Sequence, residues 1–226
     1  MRALKTAALI SLTSAVFTAP VMAYDAGDFI LRAGSATVAP KSQSANLVGS
    51  DVGETNTQAS ANNDTQLGLS FTYMLSDKLG VEVLAATPFS HKLEAKGDLA
   101  GKDIGTVKQL PPTVSLQYYP LSRDSQWQPY VGIGINYTTF FNEKTAGDIE
   151  GLGYNDLSLD DSFGLAAQVG VDYLINDHWG VNFSAMYADI DTTATLKGAN
   201  GALGSEAKVD YNLDPVVYRV SAVYRF

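Results

Sequence analysis

Cysteine is absent from this 226-residue sequence, so neither a disulfide framework nor a thiolate metal site can form. Histidine occurs only twice, which leaves few candidates for acid–base catalysis. Basic residues number 15 against 24 acidic ones, and a formal net charge of −9 argues against nucleic acid as a partner. After residue 23, no apolar run approaches the roughly 20 residues that a membrane helix needs.

The first 23 residues have the features of a secretory signal peptide. Arg2 and Lys5 precede the apolar run Ala7–Phe17, and the small-residue site Val21–Ala23 follows. The run is too short, and too interrupted by polar residues and proline, to be a transmembrane anchor. We therefore expect residues 1–23 to be cleaved, which leaves residues 24–226 as one domain with a net charge of −11.

Apolar residues in the rest of the chain recur with a period of two, which predicts β-strands with one apolar face. The last segment shows this most clearly, because its apolar face ends in Tyr224 and Phe226. Eight such segments are predicted: Phe29–Ala33, Leu67–Tyr73, Leu79–Ala85, Val114–Tyr118, Val131–Tyr137, Phe163–Tyr173, Trp179–Tyr187 and Val216–Phe226.

The alternation alone does not separate a water-soluble sandwich from a membrane barrel. Aromatic residues, however, cluster at the segment ends, as the interfacial girdles of an outer-membrane barrel do, and the chain ends on Phe226 within a strand. The connections also alternate in length. We therefore predict an all-β fold, an eight-stranded antiparallel transmembrane β-barrel, in which a closed sheet satisfies every backbone group. Its short periplasmic turns are 76–78, 121–126 and 176–178, and its long extracellular loops are about 39–64, 93–105, 142–157 and 196–208.

Several strings, in order along the chain, resemble the OmpW family of small outer-membrane β-barrel proteins. They are Arg32–Val38, Gly80–Glu82 with Leu84–Phe89, Leu110–Pro112, Pro129–Gly132 with Gly134–Phe141, Gly170–Tyr173 and Tyr224–Phe226. The resemblance implies a barrel in the bacterial outer membrane that takes small hydrophobic molecules inward. The expected partners are outer-membrane lipids, such solutes, and the barrel-assembly machinery acting on the terminal Phe226. The long loops match no family string, so external partners of relatives are not transferred.

An eight-stranded barrel has an interior wide enough only for side chains or one small ligand, which excludes a broad aqueous pore. Seven predicted inward positions are glycine, and they either open space or make room for rings such as Tyr119 and Tyr130. Five inward charges are candidates for a structural plug of ion pairs or, alternatively, for an ion-selectivity device. They are Arg32, Glu82, Asp172, Arg219 and Arg225.

Two large apolar residues, Leu84 and Met186, interrupt the polar inward pattern. One interpretation is an apolar constriction between an external pocket and the lower lumen. The other is ordinary packing inside a narrow barrel.

Proline in a paired strand removes a ladder hydrogen bond, which is costly in lipid. Pro88, Pro111 and Pro112 lie near the external ends of predicted strands, where we expect the wall to be loosened. Our hypothesis is an external apolar pocket that releases solutes sideways into the membrane, although strands that simply end at the prolines would give the same pattern. The pocket and gate residues are Leu84, Pro88, Phe89, Leu110, Pro111, Pro112 and Met186.

Other functions have weaker support in the sequence. Asp189 with Asp191, and Asp160 with Asp161, are more typical of solvated strand ends than of a cation site, so we predict no metal and no cofactor. An enzyme needs a serine activated by a positioned histidine, but Ser90 is expected to point away from the face of His91, and His178 lies in a periplasmic turn. We predict no catalysis. The alternative to hydrophobic uptake is a structural, adhesive or narrow ion-conducting barrel.

Overall fold

The computed structural model describes residues 24–40, 44–122 and 124–226. The predicted signal peptide, residues 1–23, lies outside them. In this part of the chain no helix has the length and hydrophobicity to cross a membrane. The elements are β1 (Phe29–Ala39), β2 (Val48–Gly49), β3 (Gly53–Glu54), β4 (Thr57–Ala61), β5 (Asp64–Ser76), β6 (Leu79–Ala86), β7 (Phe89–Gly97), β8 (Asp103–Leu110), β9 (Thr113–Tyr118), β10 (Trp127–Thr145), α1 (Gly147–Glu150), β11 (Asp156–Leu159), β12 (Ser162–Leu174), β13 (Trp179–Ala188), β14 (Asp191–Lys197), β15 (Glu206–Asn212) and β16 (Val216–Arg225).

Eight long strands form a closed antiparallel barrel. Their order around the wall is β12, β13, β16, β1, β5, β6, β9 and β10, and pairing of β10 with β12 completes the circle. The predicted barrel and its strand count are therefore confirmed. The short links between β5 and β6, β9 and β10, and β12 and β13 all lie at one end, which is the periplasmic end in outer-membrane barrels.

Large apolar side chains cover the outside of the barrel. Ile133 and Phe163 are each 70% exposed and Leu165 is 69% exposed, values that suit hydrocarbon rather than water as the surrounding medium. Near the short links, the rings of Trp127 and Tyr173 lie 4.7 Å apart and form part of an aromatic girdle. The predicted inward and outward faces are both confirmed, because the alternate rows of the same strands are buried.

The four long connections contain strands of their own, which the sequence did not predict. One set of strands, β8, β7 and β4, extends the barrel sheet from the upper part of β10, and a second sheet has the order β11, β14, β15, β2 and β3. We call these strands, with α1, the cap. The cap buries its own apolar core, which includes Leu47, Leu93, Ile104, Phe140, Ile149, Leu157, Leu196, Val209 and Leu213. Several of its strands are short and pair with distant segments, as β2 does with β15, so they leave little local periodicity.

Candidate functional site

The barrel interior consists of three layers, set by successive inward rows of the strands. The lower apolar layer comprises Tyr24, Ile30, Met74, Tyr119, Tyr130, Leu174 and Val223. Above it lies the polar plug, built on Arg32, Thr72, Glu82, Gln117, Gln168, Asp172, Asn182 and Arg219. The upper apolar layer comprises Ala36, Val38, Leu84, Phe89, Ala166, Met186 and Val217.

Arg32 is the central cation of the polar plug. Its Nε donates to Asp172 Oδ1 at 3.0 Å, and its Nη2 donates to Asp172 Oδ2 at 2.6 Å. Its Nη1 donates to Thr72 Oγ1 at 2.8 Å, and a second N–H of Nη2 donates to the Tyr119 hydroxyl at 2.9 Å. A bidentate pair in which four of the five N–H groups are bonded is a geometry in which a buried ion pair offsets its desolvation.

A second ion pair lies beside the first. Arg219 Nη1 is 3.3 Å from Glu82 Oε1, and its Nη2 donates to Gln168 Oε1 at 2.9 Å. Gln168 in turn donates to Glu82 Oε2 at 2.8 Å, which closes a ring of three side chains. Arg32 Nη1 lies 3.6 Å from Glu82 Oε1 and links the two pairs. The plug therefore carries two positive and two negative charges, which sum to zero.

Arg225 does not belong to the plug, contrary to the sequence prediction. It lies on the inward row of β16, but two residues below Val223, which is already part of the lower apolar layer. Its Nη1 is 3.7 Å from Asp28 Oδ2 at the periplasmic rim. The strand register therefore places this ion pair outside the lumen.

The inward glycines make room for neighbours and do not open a passage. A Cβ on Gly170 would lie 2.5 Å from the hydroxyl end of the Tyr130 ring. A Cβ on Gly80 would lie 2.7 Å from Thr72 Cγ2, and one on Gly132 would lie 2.8 Å from Gln168 Cγ. This resolves the two interpretations that the sequence left open.

Leu84 and Met186 meet in the upper apolar layer, directly above the plug. Leu84 follows Glu82 on the inward row of β6, and Met186 follows Ser184 on β13. Both are buried, together with Phe89. The structure thus places these three predicted gate residues in one apolar layer.

The wall beside this layer has a break. The register of β6 with β9 ends at Leu84 and Thr113, and pairing resumes between Phe89 and Gln109 on β7 and β8. In the described chain, no strand pairing joins residues 85–88 to residues 110–112. Pro88, Pro111 and Pro112 all lie in this break, which we call the lateral gap. Pro88 and Pro112 are exposed, while Leu110 and Pro111 are half-buried.

Each edge of the lateral gap is bonded to the strand behind it. On one edge, Thr87 N donates to Leu67 O at 2.9 Å. On the other, Tyr137 N donates to Pro112 O at 3.1 Å, and Asn136 Nδ2 donates to Pro111 O at 3.2 Å. These bonds satisfy the edges separately, so the wall tolerates a gap there without a row of orphaned backbone groups.

Three of the residues predicted to form the external apolar pocket, Leu84, Phe89 and Met186, belong to the upper apolar layer. The cap lies above it, and the cap core encloses an apolar cavity of about 30 Å³. Such a volume accommodates about one water molecule. The interior above the plug is apolar, and Phe89 begins β7 beside the lateral gap.

A buried polar pair separates the upper apolar layer from the cap core. His91 Nδ1 bonds to the Asn62 carbonyl at 2.7 Å, and Gln109 Nε2 lies 3.0 Å from His91 Nε2. Burial lowers the pKa of His91, against the opposing effects of the Asn62 carbonyl and the Asp64 charge. Neither ring nitrogen faces Ser90, whose side chain is exposed as predicted, so these residues do not form a nucleophile–base pair.

The acidic residues are grouped differently from the sequence pairs. Carboxylate oxygens of Asp189, Asp191 and Asp214 lie within 4.8 Å of one another. Asp161 instead accepts a hydrogen bond of 2.6 Å from the Tyr137 hydroxyl. Asp191 also accepts a hydrogen bond from Asn212, and Asp214 accepts one from Ile190 N. Local hydrogen bonding thus accounts for much of this group.

Tyr24 is the functional residue that sequence reasoning missed. Its hydroxyl donates to Asp172 Oδ2 at 2.7 Å, and its ring lies edge-on to Tyr119 at 5.4 Å. It precedes the first strand and belongs to no periodic pattern, so strand analysis gave it no role. Its position immediately after the predicted cleavage site was the one available signal.

Comparison with known proteins gives a consistent assignment. The sequence profile of the OmpW family matches residues 25–226. Outer membrane protein W of Escherichia coli is 48% identical over 226 residues, covering all of both chains. Outer membrane protein W of Vibrio cholerae is 46% identical over 220 residues, covering 96% of this chain and 97% of the relative.

A solved structure shares the same architecture. The crystal structure of the outer membrane protein OprG from Pseudomonas aeruginosa superimposes with a TM-score of 0.86 at 47% identity, covering 90% of this chain and 98% of that one. These similarities place the protein in the bacterial outer membrane, among non-enzymatic barrels. The chain belongs to the OmpW family.

Proposed function

We propose that this protein takes up small hydrophobic molecules from outside the cell and releases them through the lateral gap into the outer membrane. The observation that carries the proposal is the position of the gap, which faces the upper apolar layer directly above a closed polar plug. A solute above the plug would contact the apolar side chains of this layer on the lumen side of the gap and lipid on the other side.

The route straight down the barrel is unfavourable for such a solute. The plug side chains of Arg32, Glu82 and Asp172 are at most 1% exposed, and the lower apolar layer fills the lumen beneath them. Passage down the lumen would require separating two buried ion pairs, whereas passage through the lateral gap breaks no strand pairing. The same plug opposes passage of ions.

The gap also suits an apolar solute in its chemistry. Leu84 and Phe89 flank it and belong to the upper apolar layer, and prolines without an N–H group form part of its edges. One relative, the dibenzothiophene metabolism operon protein PahQ of Pseudomonas aeruginosa, is 28% identical over 169 residues. Its name refers to an apolar aromatic compound, which agrees with solutes of this class.

The test is to close the gap reversibly. Since the native chain has no cysteine, the pair A86C/P111C introduces the only two thiols, at the positions that would follow Leu84 and Thr113 in register. A disulfide or a short bifunctional thiol reagent joins them. Uptake of an apolar fluorescent probe by cells producing this variant should fall to the rate of cells without the protein, and reduction of a disulfide should restore it.

The matched control is V83C/V114C, whose residues are already partners in the intact ladder. Cross-linking there should leave uptake unchanged. If closure at 86 and 111 also leaves uptake unchanged, lateral release is wrong. If deletion of the protein does not alter uptake at all, the barrel is structural or adhesive.

A further inference from the structure

The outer surface of the cap sheet carries three lysines that converge on one residue. Thr106 on β8 has two register partners, which are Lys92 on β7 and Lys144 on β10. Lys108 follows two residues after Thr106 on the same face of β8. Neighbouring strands are about 4.8 Å apart, and alternate residues about 6.8 Å apart, so one small anion is within reach of all three side chains.

A depression lies beside two of these lysines, Lys108 and Lys144. Its volume is about 170 Å³, and its lining includes Ser90, Thr106, Lys108, Asn142 and Lys144. A bulge in β10 shapes it, because Asn142 and Glu143 fall between the paired residues Phe141 and Lys144. Asn142 has a φ of 54°, and bulges of this kind re-aim side chains at a sheet edge. Hydroxyl and amide groups therefore accompany the cations.

The positive charge of this patch is not neutralised within the described chain. Lys96 lies 3.4 Å from Glu94, and Lys208 lies 2.7 Å from Glu206. No such ion pair to Lys92, Lys108 or Lys144 occurs among the described residues. In a protein with a net charge of −9, two unpaired lysines lining the depression and a third, Lys92, beside Thr106 form a local site for a polyanion.

The patch lies at the height of the lipid head groups. Below it on β10, Ile135 and Tyr137 are 48% and 47% exposed and face lipid. Phe141, four residues above Tyr137, is the register partner of Lys108. With 3.4 Å per residue and a strand tilt near 40°, the lysines begin about 10 Å above the external aromatic residues.

A separate apolar groove lies lower along the same strand, on the barrel wall. It is lined by Leu116, Ile133, Gly134, Ile135, Leu165, Ala166, Ala167 and Tyr187, and its volume is about 580 Å³. Ala167 is a small outward-facing residue between the larger exposed side chains of Leu165 and Val169, and it leaves space for an acyl chain. The cations and the groove thus match the two parts of one lipid.

We propose that Lys92, Lys108 and Lys144 bind the phosphate of a phosphorylated glycolipid in the outer leaflet, with its acyl chain in the groove of β9, β10 and β12. The outer leaflet of a bacterial outer membrane is built from glycolipids with phosphates on a sugar head group. This site holds the barrel at a fixed height and is independent of solute uptake.

The experiment compares two triple variants that lose the same charge. K92Q/K108Q/K144Q removes the patch, and K96Q/K102Q/K197Q removes three lysines elsewhere in the cap. Binding to the full chain in detergent is measured by native mass spectrometry with bisphosphorylated lipid A, with the same lipid after removal of its phosphates, and with inorganic phosphate as competitor. All six lysines are outside the buried core, so both variants should fold.

The patch variant should bind bisphosphorylated lipid A about a hundredfold more weakly than the native chain, since each basic residue near an anionic membrane contributes about 1 kcal/mol. The control should bind as the native chain does, and the lipid without phosphates should bind weakly to all three proteins. Equal loss in both variants would overturn the proposal, as would equal binding of the phosphate-free lipid. Complete displacement by inorganic phosphate would assign the patch to free phosphate instead.

Discussion

Arg32 and Asp172, 140 residues apart in the chain, form a two-point ion pair at the centre of the barrel, with N–O distances of 3.0 and 2.6 Å. Asp172 also accepts hydrogen bonds from Tyr24 and Asn182, each at 2.7 Å. The pair thus connects β1 with β12 and the N-terminal segment. It closes the lumen and ties three parts of the chain together.

Removing either charge should destabilise the barrel by about 3–5 kcal/mol, because it leaves the other charge buried without its partner. R32M leaves Asp172 as an uncompensated anion, and D172N leaves the plug with an excess positive charge. The double variant R32M/D172N restores neutrality and should lose clearly less than the sum of the two. Urea unfolding in detergent micelles, followed by tryptophan fluorescence, measures this double-mutant cycle. Additive losses would show that the two charges do not depend on each other.

Tyr24 should contribute to stability through both its ring and its hydroxyl. Y24F removes the hydrogen bond to the Asp172 carboxylate and should cost about 1.5–3 kcal/mol. Y24A also removes the ring from the lower apolar layer and should cost more, about 3–5 kcal/mol in total. Y24F serves as the control for the ring, and the same urea titration measures both variants. Equal losses in the two variants would mean that the ring packing contributes nothing.

Gly170 should be better tolerated as alanine when Tyr130 is shortened. A Cβ at position 170 would lie 2.5 Å from the Tyr130 hydroxyl, so G170A should cost about 1–3 kcal/mol by overpacking. Y130L removes the two closest atoms and leaves Ser184 Cβ at 2.8 Å, so in that background G170A should lower the urea midpoint clearly less than it does in the native chain. G147A is the matched control, since a Cβ on Gly147 meets no atom within 4 Å. If G170A is as well tolerated as G147A, the close contact is not a constraint.

The sequence predicted the barrel wall well because lipid outside and packed side chains inside impose a strict period of two. It did not predict the cap, because strands such as β2 have two residues and their pairing is non-local. It listed the plug charges but not their partners, since the pairing of Arg32 with Asp172 depends on strand register. It placed Arg225 in the plug because alternation gives the face of a residue and not its height in the lumen.

His91 provides the pH dependence that the structure predicts for the cap. Burial lowers its pKa, so the folded protein favours the neutral ring and the unfolded chain binds the proton more readily. The stabilisation from His91 is therefore present above the unfolded pKa of about 6.5 and is lost as the pH falls below it. Amides of β7 and β8 should lose hydrogen-exchange protection between pH 7.5 and pH 5, after correction for intrinsic rates. H91Q should abolish this loss, whereas H178Q, which alters the exposed histidine of the periplasmic turn, should behave as the native chain. If H91Q and the native chain lose protection equally, carboxylates and not His91 control the response of the cap to acid.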